Sequence, residues 1–256
     1  MQGNQVKLRT YKKELEYTYA LGASVTIELL ENRARDCFRV ICSPTFKDKT
    51  KIFALCEQYA IPIEENQRLI NMLSPKENCY LIGAFHKRAY SLEDDKPHII
   101  VDNPSDMGNI GTIMRSCAGF NMPNLAVING GADAYNPKVI RASMGAFFHV
   151  NLEYFGGIHE YLAAYGNKRK LYAFMLDAKD NLTSVTPPSD NIYSLIFGNE
   201  ATGLDNALYK DISTGIYIHH ESVIDSLSLP TAASIALFWF DHINPPRGYC
   251  FSHRRA

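Results

Sequence analysis

Five short apolar runs constrain this chain most: HIIVDN, NLAVING, LYAFMLDA, IYSLIFGN and GIYIHH, spread over residues 98–220 and separated by turn formers and helical patterns. Strands of this kind, alternating with helices, form a parallel sheet, because the crossover helices must cover both of its faces. NIGTIMRSCAGF and NPKVIRASMGAFF read as two of the helices, the second opened by an Asn136 cap with Pro137 in its first turn. TAASIALFWFDHI reads as a last one. The expected fold class is α/β, and a ligand in such a sheet sits where the strands' carboxyl ends meet loops.

The first ninety or so residues read as a smaller α/β unit. YKKELEYTYALGASVTIELLEN looks mostly helical and FRVICSP is a short strand. KIFALCEQYA carries Ile52, Leu55 and Cys56 at helical spacing, IPIEEN enters a strand, RLINMLS is helical, and NCYLIGAF is a buried strand. The polar SLEDDKPH reads as a linker, which divides the chain into domains at 1–92 and 97–256. Residues 1–92 hold fourteen Lys and Arg against ten Asp and Glu, whereas residues 93–256 hold twelve against seventeen. The positive amino-terminal part suits a polyanion, although the whole chain, at a net charge of −1, is no basic nucleic-acid coat.

No apolar run reaches the roughly 18 residues that span a bilayer, and the opening MQGNQVKLRTYKKELEY lacks the apolar stretch of a secretory signal. The six cysteines form neither CxxC pairs nor a compact framework, which suits reduced thiols in a cytoplasmic protein. A lone Cys250–x–x–His253 does not make a zinc site, so no metal is expected.

Three segments carry the chemistry. In NPSDMGNIGTIMRSC, a helix places Ile110, Ile113, Met114 and Cys117 on its core face and Gly108, Gly111 and Arg115 on another. Each glycine there costs about 1 kcal/mol against alanine. Such a face admits either a crossing backbone or a ligand, with the arginine as a permanently charged fork beside it. In IFGNEATGLDNAL a strand runs into a turn between Gly198 and Gly203 and then a helix. The turn is no P-loop, since leucine follows where lysine is needed, and the chain has no GxGxxG, which argues against a dinucleotide-binding oxidoreductase. Glu200 is either a solvated acid or a partner for Arg115. In IHHESVIDSLSLPTAAS, Ser226 and Ser228 precede a helix, where serine commonly caps, and His219–His220 has no partner at a catalytic spacing.

Taken in order, the three segments resemble the SpoU/TrmH-like family of SPOUT RNA methyltransferases. Asn109, Gly111 and Arg115 match its Asn-x-Gly-x-x-x-Arg motif; Gly198, Glu200 and Gly203 match its Gly-x-Glu-x-x-Gly turn. Ile218, Ser226 and Leu227 match its third motif, and RASMGAFF resembles its RASxGA helix. Two positions depart: His219–His220 replaces Pro-Met, and Ser228 replaces asparagine. The resemblance covers about residues 97–243, and residues 14–90 look like the small RNA-binding domain fused ahead of such enzymes.

The resemblance implies a carboxyl-terminal trefoil knot and S-adenosylmethionine held by Leu176, Gly198, Asn199, Glu200, Gly203, Ile218, His220 and Leu227. It also implies a homodimer in which Arg115 serves the neighbouring subunit, and an RNA substrate, ribosomal rather than transfer RNA, contacted by Arg141, Lys12 and Lys13. The implied reaction methylates a ribose 2′-hydroxyl, with Arg115, Asn109, Glu200, Ser226 and Ser228 as the working residues. Deprotonating an arginine beforehand at neutral pH costs about 8 kcal/mol, so Arg115 is expected to orient the hydroxyl and take its proton late, or pass it to phosphate or water. The alternative function is an RNA-binding protein with a degenerate, catalytically weak SPOUT domain.

Overall fold

The computed structural model describes residues 6–47, 49–74, 78–166 and 169–243. The Cys250–His253 pair lies outside the described residues, as do the first five residues of the opening segment. By its internal contacts the chain forms two units. The first comprises Met1–Ala89, Asp106–Arg115 and Asp133–His149; the second comprises Tyr90–Ser105, Ser116–Ala132 and Val150–Ala256.

The first unit is built on a four-stranded sheet in the order β1-β4-β2-β3. Its elements are β1 (Tyr17–Leu21), α1 (Ala23–Asn32), β2 (Cys37–Cys42), α2 (Lys49–Gln58), β3 (Ile63–Glu65), α3 (Gln67–Leu73) and β4 (Leu81–His86). Strand β4 pairs antiparallel with β1 and β2, while β2 and β3 run parallel. Tyr19, Leu21, Ile41 and Ile82 pack with Ile70 and Leu73 of α3 in one buried cluster. The helix expected over residues 11–32 is instead strand, turn and helix. All five residues of β1 are buried, so its sequence shows no alternation, and the chain reverses at Gly22 with φ +107°.

The second unit's sheet has seven strands, every pairing parallel, as the apolar runs predict. The chain runs β5 (His98–Asp102), α4 (Met107–Gly119), β6 (Asn124–Ile128), α5 (Pro137–Ala142), β7 (Asn151–Phe155), α6 (Ile158–Tyr165), β8 (Lys170–Phe174), β9 (Asp180–Asn181), β10 (Tyr193–Phe197), α7 (Asn206–Ile212), β11 (Thr214–Tyr217) and α8 (Leu229–Ile243). Helix α5 and most of α4 fall in the first unit's contact group. The spatial order is β7-β6-β5-β10-β8-β11-β9, so β10 enters between two strands laid down before it. Ile158 and Tyr161 of α6 and Tyr209 of α7 bury one face of the sheet with Ile100, Ala173 and Ile196. On the opposite face Phe240 of α8 packs against Tyr172 and Tyr193.

Two further expectations change. Residues 91–97 are no loose linker: Leu92 is buried, and the Arg169 guanidinium donates to the carbonyl oxygens of Glu93, Asp94, Lys96 and Tyr193 at 2.7–3.2 Å. Helix α5 keeps its predicted cap, since the Asn136 side chain accepts from the Lys138 N–H. It ends at Ala142, because Met144 and Gly145 take φ +53° and +93°, and Ala146–His149 follows as a separate 3-10 turn.

Candidate active site

The carboxyl ends of β7, β6, β5 and β10 are stitched edge to edge. Asn129 N–H donates to the Phe155 carbonyl at 3.2 Å, and Asn103 N–H to that of Ile128 at 2.9 Å. The Asn199 side-chain amide donates to the Asn103 carbonyl at 2.6 Å. Ser105 then donates twice to Glu200, from its N–H at 3.0 Å and its hydroxyl at 2.7 Å. Glu200 is therefore not merely a solvated acid: it binds the β10 turn to the loop that leaves β5.

That turn is rigid for a steric reason. Asn199 and Gly203 exchange two backbone hydrogen bonds at 3.2 and 2.9 Å, and the Asn199 carbonyl oxygen of the side chain accepts from Ala201 and Thr202 N–H. A Cβ on Gly198 would lie 2.5 Å from the Gly203 oxygen and the Leu204 nitrogen, so only glycine fits there. Gly203 stands at φ +68°, in the left-handed region.

Next along the sheet edge, Leu176 follows β8 and is 63% exposed, an apolar side chain with no cover. Ile218 follows β11 and its carbonyl accepts from His220 Nδ1 at 2.9 Å. The Tyr217 ring sits 5.4 Å from His220 and 6.4 Å from His219. Ser226 is exposed and Leu227 half-buried. Ser228 behaves as a helix start: its hydroxyl pairs with that of Thr231 at 2.8 Å, and its carbonyl accepts from Ala232 N–H. The third segment thus lies by the strand end after β11.

Helix α4 buries Ile110, Ile113, Met114 and Cys117 completely, as its spacing predicts. Gly111 is the point of a close crossing, since a Cβ there would lie 2.6 Å from that of Ala142 and 2.9 Å from the Ser143 nitrogen. At this position the bare face serves a backbone rather than a ligand. Asp106 caps the helix by accepting from Asn109 N–H at 2.8 Å. Arg115 is exposed and, among the described residues, has no hydrogen-bond or ion-pair partner. Lys12 and Lys13 are exposed and Arg141 half-buried, all in the first unit.

Sequence reading missed Ser105, Asp102, Asn129 and Tyr209. Asp102 accepts from the Asn129 side chain and from the Tyr209 hydroxyl, each at 2.7 Å. The one available signal was the turn-former run Asn129–Gly130–Gly131 at a strand's end. Burial, with the Asp102 bond second, pushes the Tyr209 hydroxyl's pKa up, so it stays a donor. The five described cysteines in strands and helices or beside them, Cys37, Cys42, Cys56, Cys79 and Cys117, are buried and unpaired. Among the described residues no three His, Cys, Asp or Glu side chains gather as a metal site, and no helix is long and apolar enough to cross a membrane.

A family model described as the SpoU rRNA Methylase family matches residues 96–238. The chain is 26% identical over 145 residues to the 23S rRNA (guanosine(2553)-2'-O)-methyltransferase RlmP of Bacillus subtilis, covering 55% of this chain and 56% of that protein. It is 29% identical over 195 residues to the mitochondrial rRNA methyltransferase 3 of Xenopus tropicalis, covering 55% and 47%. The chain thus spans about half the length of these curated relatives. Among solved structures, an AdoMet-bound rRNA methyltransferase from Sinorhizobium meliloti superposes with a TM-score of 0.76 at 20% identity, covering 89% of this chain and 87% of that one. The SpoU methyltransferase AviRb from Streptomyces viridochromogenes superposes at 0.75 and 17%, covering 89% of each. The fold is that of these structures.

Proposed function

The chain belongs to the SpoU rRNA Methylase family, and on that footing we propose that it is an S-adenosylmethionine-dependent enzyme that methylates a ribose 2′-hydroxyl of ribosomal RNA. The observation that carries this reading is the pair of bonds from Ser105 to Glu200, which draws the second motif's turn onto the loop that leaves β5. The names of the relatives, rRNA 2'-O-methyltransferases among them, point to the same substrate class.

The residues at the strand ends fit the cofactor. Leu176, Ile218 and Leu227 offer apolar side chains for a nucleoside, and the Gly198–Gly203 turn offers a fixed backbone, since a Cβ on Gly198 would meet Gly203 and Leu204. Asn199, Glu200 and His220 complete the set. S-adenosylmethionine supplies a methyl group already activated on a sulfonium. Arg115 would donate to the ribose hydroxyl and orient it, with the hydroxyl proton passing to phosphate or water as the methyl–sulfur bond breaks and the methyl joins the oxygen. Asn109 orients Arg115 or the ribose, Glu200 and Ser226 hold the loops, and Ser228 fixes the start of α8.

The exposed Arg115 suits a homodimer in which each arginine completes the other subunit's site. Insertion of β10 between β5 and β8 suits a carboxyl-terminal trefoil knot. The proposed division is a substrate-binding domain over 1–92, with Lys12 and Lys13, and a catalytic domain over 97–256, with Arg141 on the RNA side. Buried free thiols suit the cytoplasm. The alternative, an RNA binder with a weakened active site, is favoured by one feature: Ser228 spends its hydroxyl on Thr231. Mapping ribose methylation in rRNA from cells with and without the gene tests the proposal, alongside calorimetry with S-adenosylmethionine. One methylation lost and micromolar binding are expected. Unchanged methylation would reject the proposal, and absent binding with it would favour the alternative.

A further inference from the structure

We propose that Asp102 is the positioning residue of this site, a carboxylate that holds two left-handed turns and helix α7 in one register. The inference rests on the methyltransferase reading for its consequence, but its geometry stands apart. Asp102 is the last residue of β5 and is half-buried. One carboxylate oxygen accepts from Asn129 Nδ2 and the other from the Tyr209 hydroxyl, both at 2.7 Å. Asn129 opens the turn after β6, and Tyr209 lies on α7, the helix that follows the Gly198–Gly203 turn.

These turns need an external tie. Asn103 has φ +48°, and Asn129, Gly130 and Gly131 have +56°, +82° and +90°. A non-glycine residue in that region is uncommon, asparagine being the most tolerated, and it persists where the surroundings over-determine it. The two turns lean on each other: Ala132 N–H donates to the Pro104 carbonyl at 2.7 Å, and a Cβ on Gly131 would lie 2.9 Å from the Pro104 nitrogen. Asn103, the residue after Asp102, also receives the Asn199 side chain from the β10 turn. A charged acceptor with both oxygens engaged is the strongest bond in this set, so its loss releases the loops together.

The test uses the full chain with Asp102→Asn, which removes the carboxylate, and the exchanged pair Asp102→Asn/Asn129→Asp, which returns a carboxylate to the pair. Amide hydrogen exchange at Asn103, Asn129 and Ala132 reads the turns, and calorimetry with S-adenosylhomocysteine plus steady-state kinetics reads the consequence. Asp102→Asn should speed exchange at those amides at least tenfold and weaken nucleoside binding about tenfold, raising KM while kcat stays within threefold. The exchanged pair should recover most of both. If Asp102→Asn leaves exchange within twofold of the parent, or the exchanged pair recovers nothing, the positioning role is wrong. If the parent chain itself fails to bind the nucleoside, the methyltransferase reading falls, and the exchange measurement alone decides the role of Asp102. Should Asp102→Asn not fold, Tyr209→Phe removes one of the two bonds, and unchanged exchange in it overturns the proposal.

Discussion

Arg115 and Gly198 show two ways in which a single residue is fixed by its place. The arginine is exposed on α4 with nothing in the described chain to hold it, so its removal should cost little stability and much activity. Arg115→Ala is expected to bind S-adenosylmethionine within twofold of the parent, by calorimetry, while labelled-methyl transfer to RNA falls at least a hundredfold. Transfer within threefold of the parent would remove Arg115 from the mechanism. Gly198 is the reverse case, because any Cβ there meets the Gly203–Leu204 backbone. Gly198→Ala should lower unfolding stability by about 2–3 kcal/mol in a urea titration, the cost of overpacking where backbone cannot yield. The glycine's steric role was legible in the sequence, since motif spacing singles out Gly198, and the same kind of spacing nominated Arg115, whose role the transfer assay decides. Ser105 and Tyr209 were not: an isolated serine or tyrosine gains its meaning only from a partner about a hundred residues away.

At the scale of elements, the sheet's amino-terminal edge rests on a buried polar column. His98, the first residue of β5, has Nδ1 2.8 Å from the Tyr161 hydroxyl and Nε2 2.9 Å from the Glu93 carbonyl, and Tyr161 meets Ser194 of β10 at 2.7 Å. The Glu93 carbonyl can only accept, so Nε2 carries the hydrogen and Nδ1 accepts from Tyr161. Burial, and then the charge of Arg169, lower the His98 pKa from 6.5 to about 3. The unfolded chain therefore binds a proton below pH 6.5 that the folded chain refuses until about pH 3. Stability from this group is full above pH 6.5 and falls on acidification, by at most about 1.4 kcal/mol per pH unit. Between pH 6 and 4, His98→Gln should show a shallower decline in urea stability than the parent; equal slopes would refute the assignment. Periodicity gave the central strands because each is a short apolar run between turns. It failed at β1, where burial on both faces erases alternation, and at β7, an edge strand whose polar residues resemble a loop. It overran α5, since a helical pattern does not register a methionine at positive φ.

For the molecule as a whole, the proposed homodimer turns on whether Arg115 serves its own chain or a second copy. The two arrangements differ in what a mixture of damaged subunits can do. An Arg115→Ala chain keeps its cofactor turn and lacks the arginine. An Asn199→Ala chain keeps the arginine but loses the side chain that binds Ala201, Thr202 and Asn103 together, and with it the turn proposed to hold the nucleoside. Each variant alone should be nearly inactive, which the unmixed samples establish. If the arginine acts across a dimer, subunits exchanged at equal concentration pair at random, half the dimers are mixed, and each mixed dimer contains one complete site of two. Methyl transfer should then return to about a quarter of the parent rate. If the arginine acts within its own chain, every site in the mixture lacks one component, and no activity returns at any ratio. Light scattering on the same samples separates the remaining case, because a monomer cannot complement whatever its arginine does.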